Sequence, residues 1–294
     1  MTPTEGILGL LTAAVAGNPA SVFIEKVSAA IEGGLKPWQL RRVASAEMDA
    51  SVIKAEGDGK IAEIQQRAAL RVAAEEVRNQ QNIEAAIIKA LPNIKADAKP
   101  EEMDNDWLAN FFDKCRLISN EEMQKLWAQV LAGEANSPGS FSHRTINFLS
   151  SMSQKDAEDF RLLCSYGWYN ENGSMTPVIF KIESEDLPIK ISFNQFQHLE
   201  DIGLIKFQSG MFSNSYSLLK NCNTFSYLGR VYEIKCKSDS DASEKDRGVS
   251  IGKIILTKLG DELALVCQPV QDEKVVEYTF KVWEHNHIIT EVIK

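Results

Sequence analysis

The chain has 294 residues, 44% of them hydrophobic and 25% charged, with 32 Lys+Arg against 41 Asp+Glu and a formal charge of -9. This composition excludes a disordered, collagen-like or disulfide-scaffold chain and predicts about two folded domains. No long segment has the basic excess that would gain affinity for a polyanion by releasing counterions, so DNA is not an expected partner.

Residues 1–91 read as N-terminal helices and a long stalk. Thr2-Pro3-Thr4-Glu5 has a cap, a proline for the first helical position and a glutamate three residues past the cap. Ile7 to Ala16 is apolar, but no Lys or Arg precedes Lys26, and the run is far shorter than the roughly 20 residues that span a bilayer. It reads as a short docking helix, with contact to a membrane surface as the alternative. Asn18-Pro19 restarts a helix to about Glu32, Gly33-Gly34 breaks it, and Pro37 opens the next.

From Pro37 to Leu91 no proline interrupts a segment rich in strong helix formers. Ala50, Ile61, Val72 and Ile83 recur every 11 residues, as do Ile53 with Ile64, and Ala46, Gly57 and Ala68. Such a repeat has about 3.67 residues per turn and favours a nearly straight or slightly right-handed bundle. A homo-oligomer is therefore expected, joined through Ala50, Ile53, Ile61, Ile64, Ala68, Val72 and Ile83. A helix lying on lipid is the other reading, but eight basic and eight acidic residues between Trp38 and Ala90 lack the cationic excess of interfacial helices.

Residues 92–103, with two prolines and few large apolar groups, read as a linker. Residues 104–167 then read as a four-helix bundle-like module. Asp104 or Asn105 caps a helix carrying Trp107, Leu108, Phe111, Phe112 and Cys115. Ser119-x-x-Glu122 is a capping box before Met123, Leu126, Trp127, Val130 and Leu131. Asn136 to Gly139 is a turn, Ser142 caps a short helix with Ile146 and Leu149, and Ser153-x-x-Asp156 caps a last one.

Residues 168–294 read as an α/β domain. Pro177–Ile182, Pro188–Phe193, Phe225–Cys236 and Val249–Leu256 are expected strands, Asp239–Arg247 a polar hairpin tip, and Asn194–Asp201 and Thr257–Val266 helices. Val275 to Ile289 has both periods, and a terminal strand is favoured. A helix ending at Gly203, a β-wing and a Thr257-x-x-Gly260-x-x-Leu263 helix resemble a winged helix. The fold class is thus α+β, with a long N-terminal stalk, a bundle-like module and a C-terminal winged-helix-like domain.

Three segments together carry a family resemblance: Asp106-Trp107-Leu108-Ala109-Asn110-Phe111-Phe112, Leu126 to Glu134, and Pro138-Gly139-Ser140-Phe141-Ser142-His143-Arg144-Thr145. They resemble a bacterial family of proteins of unknown function, domain-of-unknown-function family 2806, over most of residues 20–165. Related helical families with similar tryptophan-containing segments are linked to abortive infection, so the resemblance implies phage defence as a setting and brings no established enzymatic activity with it.

The chemistry-bearing patterns are few. There is no phosphate-binding glycine loop, no nucleophile elbow and no C-x-x-C pair, so no cofactor, metal or catalytic residue is expected. Cys115, Cys164, Cys222, Cys236 and Cys267 fit free thiols in a reducing cytosol. His285-x-His287 would share a strand face but lacks further ligands at fixed spacing. The turn Pro138, Gly139, Ser140, Phe141, Ser142 and Arg144 is the expected interaction surface, with an aromatic and an arginine on one loop. The competing reading has Phe141 stapling the loop onto Ile146. The expected function is a non-catalytic cytoplasmic scaffold or sensor, an oligomer with a protein partner encoded nearby, and the rival is a nucleic-acid-binding regulator.

Overall fold

The computed structural model describes residues 18–31, 59–181, 187–207, 214–217, 224–236 and 248–292. The chain is α+β, with nine α-helices and nine strands among the described residues. It divides into two units, residues 1–151 and 152–294. That boundary falls inside the span 104–167 expected as one module, so the last helix expected there belongs to the second unit.

In the first unit, α1 (Pro19–Ala30) starts as its sequence dictates. The Asn18 side chain accepts from the Ala20 N–H at 3.2 Å, and Pro19 takes the first helical position. Its Phe23, Ile24 and Val27 are buried. α2 (Gly59–Ala90) is the later part of the expected stalk. The earlier part, including Ala50 and Ile53, lies outside the described residues, as does the helix expected from Thr2.

Towards its C-terminus α2 is not free. It packs on α4 (Glu121–Asn136), and Ile83, Ala86, Ile87 and Ala90 are buried there. A polar row runs beside them. Lys89 Nζ donates to Gln124 Oε1 at 2.6 Å, Gln124 Nε2 to the Ile118 carbonyl at 2.9 Å, and Asn82 Nδ2 to the Arg116 carbonyl at 2.8 Å.

Residues 92–103 correct the linker expectation, because they are docked. Two 3-10 turns, Leu91–Asn93 and Pro100–Glu102, bracket a segment whose Ala98, Pro100 and Met103 are buried. Asn136 at the end of α4 holds it from both sides, accepting from the Lys95 N–H at 2.8 Å and donating to the Asn93 carbonyl at 2.9 Å. Prolines here set turn geometry and do not signal a free tether.

α3 (Asn105–Cys115) is capped by Asp104, which accepts from the Trp107 N–H at 2.8 Å. α4 is capped by Asn120, one residue beyond the expected Ser119. α5 (His143–Leu149) is capped by Ser142, as expected. Trp107 stacks on Phe111 at 5.3 Å, and Phe111 meets Trp127 edge-on at 5.1 Å.

The second unit opens with α6 (Gln154–Cys164), whose Ser153–Asp156 capping box is complete in both directions. Strands β1 (Gly167–Asn170), β2 (Met175–Pro177), β5 (Thr224–Tyr227), β6 (Arg230–Cys236) and β9 (His287–Val292) form an antiparallel sheet in the order β2-β1-β5-β6-β9. Leu228 at φ 54° and Gly229 at φ 72° turn β5 into β6. Between these flanking strands lie α7 (Phe193–Asp201), β3 (Ile205–Phe207), β4 (Asn214–Ser217), β7 (Gly248–Gly252), β8 (Ile254–Leu256), α8 (Lys258–Ala264) and α9 (Glu273–Asn286). β3 pairs with β8 and β4 with β7, both antiparallel.

Several strand expectations are corrected: Phe225–Cys236, expected as one strand, is β5 and β6 joined by the Leu228-Gly229 turn, and Val249–Leu256 is divided into β7 and β8, which pair with different strands. Pro188–Phe193 holds no strand, because Ser192 and Gln195 form a capping box that starts α7 at Phe193. The strand expected from Pro177 ends there, and Ile179 makes only an isolated bridge to Gly252. The segment at Asp239–Arg247 lies outside the described residues, but the strands that flank it, β6 and β7, pair in different sheets and form no hairpin. Val275 to Asn286 is helical, and only His287 onward is strand. α9 packs Phe280 and Trp283 onto Trp168 of the sheet, with the two indoles 5.1 Å apart.

Candidate functional site

The turn between α4 and α5 is the most specific constellation of the first unit. Glu134, on the last stretch of α4, is 2% exposed, and its carboxylate accepts from the Gly139 N–H at 2.7 Å and the Phe141 N–H at 3.0 Å. From the other side, Trp107 Nε1 donates to the Phe141 carbonyl at 2.7 Å. Ser142 then caps α5 through the Thr145 N–H. Charge-assisted bonds to backbone N–H groups are the strong ones, so a buried carboxylate here fixes the loop.

Phe141 is only 2% exposed, and Ile146, four residues past the Ser142 cap, is fully buried. These are staple positions. The expectation that Phe141 is a surface aromatic is therefore corrected: its spacing belongs to the cap, and its backbone is held at both N–H and carbonyl. Gly139 and Arg144 are exposed, and Pro138, Ser140 and Ser142 are half-buried. What the turn offers outward is Arg144 with its neighbour His143, without the aromatic.

The expected oligomerising residues separate into groups. Ile83 is buried against its own chain, so it serves the fold of the monomer. Ile64 is 57% exposed, while Ala68 and Val72 are half-buried. Ile61 lies on α2, and Ala50 and Ile53 lie outside the described residues. Periodicity alone missed a second line. Leu70, Val77 and Ile88 are 65%, 60% and 44% exposed. At 100° per residue they share one side of α2, away from the line of Ile83 and Ala90. The signal was legible as spacings of seven and eleven.

His285 and His287 do not form the expected strand pair. His285 ends α9 and is exposed, whereas His287 is buried with Nδ1 3.1 Å from the Trp283 carbonyl. Among the described residues no group of three His, Cys, Asp or Glu is placed to hold a metal.

In the second unit the Thr257 motif closes on the turn after α7. Thr257 Oγ1 donates to the Gly203 carbonyl at 2.6 Å, and its N–H to the Leu204 carbonyl at 3.0 Å. A Cβ at Gly260 would collide with that same carbonyl, so glycine permits the approach. α7 meets α6 through two side-chain pairs, His198 Nε2 to Asp156 Oδ1 at 2.7 Å and Gln195 Nε2 to Asp159 Oδ1 at 2.6 Å. Burial pushes the Asp156 carboxyl up, but hydrogen bonds from His198 and Ser153 outweigh it and hold the group below the usual carboxylate range.

Three tyrosine hydroxyls tie loops to this unit. Tyr227 donates to the Ser165 carbonyl at 2.7 Å and accepts from the Asp272 N–H at 3.1 Å, and burial pushes its phenol up to about 12. Tyr278 accepts from the Phe180 N–H at 2.9 Å, and Tyr166 bonds both backbone groups of Ile189. All of this pins structure, and none of it sets a nucleophile beside a base.

Comparison with known proteins identifies a family. The family described as "Protein of unknown function (DUF2806)" matches residues 66–279. The match starts on α2 and ends within α9, so it reaches much further into the second unit, and starts later, than the resemblance in residues 20–165. No curated protein and no solved structure matches the chain.

Proposed function

The chain belongs to the DUF2806 family of proteins of unknown function, and because membership brings no activity with it, we propose from the architecture a non-catalytic oligomeric scaffold or sensor in bacterial phage defence. One observation carries the reading. α2 is 32 residues long, about 48 Å, yet only its later part is sunk into its own unit, and Leu70, Val77 and Ile88 stand exposed along one side of it. Exposed apolar residues aligned on a rod mark a surface for a partner helix. A second copy of the chain supplies one, and a protein encoded nearby is the further partner. The defence setting is proposed from the sequence resemblance alone. No helix among the described residues is long and apolar enough to cross a membrane. Contact with a membrane surface through the N-terminal segment stays part of the proposal, as does a cytoplasmic location.

Light scattering of the full chain tests it. The unmodified protein should be oligomeric, and a joint Leu70→Asp and Val77→Asp change should yield monomers with melting temperature nearly unchanged. Charge at Ile61 and Val72 tests the 11-residue stripe in the same way, while Ile83→Asp should unfold the first unit. A monomeric unmodified protein would sink the proposal.

A second reading rests on α7, the β3–β8 and β4–β7 pairs and the Thr257-capped α8, an order that favours a winged helix. α7 carries no Lys or Arg, and Glu200 and Asp201 at its end repel phosphate. Duplex DNA binding should therefore be weak and non-specific. A sequence-selective complex well below micromolar Kd at physiological salt would promote this reading over the first.

A further inference from the structure

We infer, resting on the reading of α2 as an oligomerising surface, that two copies of the chain pair through this helix in parallel and in register, with the twofold axis running along it. At about 100° per residue, Leu70, Ala74, Val77, Gln81 and Ile88 form one exposed stripe on α2. They follow one another at spacings of three, four and seven, as the a and d positions of a coiled coil do. Asn79, Ile83, Ala86 and Ala90, which are buried in the chain's own unit, lie on the opposite side of the helix. A second helix therefore reaches the stripe without displacing α2 from α4.

The charges beside the stripe choose the orientation. One flank carries Arg67, Arg71 and Arg78, all exposed, and Arg71 reaches Glu75 at 3.5 Å on the side away from the stripe. The other flank holds Gln66, Ala73, Glu76, Gln80 and Glu84, and no Lys or Arg. A twofold axis along the helices sets the arginine flank of each copy against the Glu76 and Glu84 flank of the other. An antiparallel pair instead sets each flank against its own kind, so the arginines of both copies crowd one side of the seam. Juxtaposed like charges disfavour that arrangement.

Gln81 fixes the register. It is the polar residue of the stripe, between Val77 and Ile88. Parallel helices in register set Gln81 against Gln81 of the second copy, where each side-chain amide both donates and accepts. A slip of one heptad sets it against Ala74 or Ile88 and leaves its amide in the seam without a partner, the way one polar a position specifies register in a coiled coil.

The test uses the full chain with Ala74→Cys or Gln81→Cys, one change at a time. Both positions are exposed, so each variant should keep the melting temperature of the unmodified protein, and no native cysteine lies on α2. Light scattering should give the mass of two chains. After mild oxidation and digestion without reduction, each variant should yield its α2 peptide joined to the same peptide of the second copy. Antiparallel helices bring a residue to its own copy only at the twofold axis, and the two positions are about 10 Å apart along the helix, so at most one of them can link. Arg67→Glu together with Arg78→Glu should raise the dimer Kd several-fold. A dimer in which only one position links, or neither, overturns the parallel pairing and leaves the oligomeric reading standing, and so does a Kd lowered by the arginine changes. A monomeric unmodified protein sinks both.

Discussion

Where α2 meets α4, the buried face carries Asn82 and Gln124 beside Ile83 and Ile87, whereas the core under the five-stranded sheet is Trp168, Tyr227, Tyr232, Phe280 and Trp283. The helical face spends its polar groups on partners: Gln124 alone bonds Lys89, Asn82 and Ile118. Its amides fix how far α2 slides along α4, because any shift leaves buried donors without acceptors. The aromatic core bonds backbone groups through Tyr227 and Trp283, but its rings meet one another by packing, and the Trp168 Nε1 is buried without a hydrogen bond. It holds its place by volume and ring geometry. One interface is specified by pairing, the other by packing, and the two should fail differently.

The largest expected effect is in the packed core. Trp283 touches the Trp168 and Phe225 rings and donates to the Ser250 carbonyl at 2.7 Å. Trp283→Ala should destabilise the second unit by about 3–5 kcal/mol, seen as an early urea transition in circular dichroism. Phe141→Ala should cost the first unit nearly as much, about 3–4 kcal/mol, whereas Arg144→Ala three residues on should stay within about 0.5 kcal/mol. Equal effects of the two changes on melting temperature would refute the buried assignment of Phe141.

At the paired interface, Asn82→Ala should cost about 1–3 kcal/mol by removing the bonds to the Arg116 carbonyl and from the Gln124 amide. Asn82→Leu should recover little of that if pairing, and not volume, sets the interface. The smallest effect is the pH dependence of the α6–α7 clamp. Asp156 has its folded-state value below its ordinary one, so the unfolded chain takes up the proton first as pH falls. The clamp's contribution is present above about pH 4 and fades below it as the folded value is crossed. Urea midpoints at pH 5 and pH 3 should therefore separate further for the unmodified protein than for Asp156→Asn, and parallel shifts would contradict the clamp.

The helices and most of their starts were legible because their causes are local. Asn18, Asp104, Ser142, Ser153 and Thr257 cap their own next turn, and no distant residue is needed to make them do so. The i, i+4 aromatics of α3 likewise face one core by helical geometry alone. The same local logic failed where two signals compete. At Val275–Asn286 apolar residues satisfy both periods, and packing of Trp283 on the sheet settles it as helix. At Leu228-Gly229 a leucine takes the left-handed turn position where Asn or Asp would have announced a hairpin.

What only the tertiary structure decided are relations between distant residues. The 11-residue stripe of α2 determines a helix face, but the sequence does not say whether that face meets a second copy or its own chain. At Ile83 it is α4 that covers it. Phe141 looks like a loop residue until Glu134 and Trp107 close on its backbone. Capping and periodicity act over a few residues and are written into neighbours, whereas burial and pairing depend on which surfaces the folded chain brings into contact.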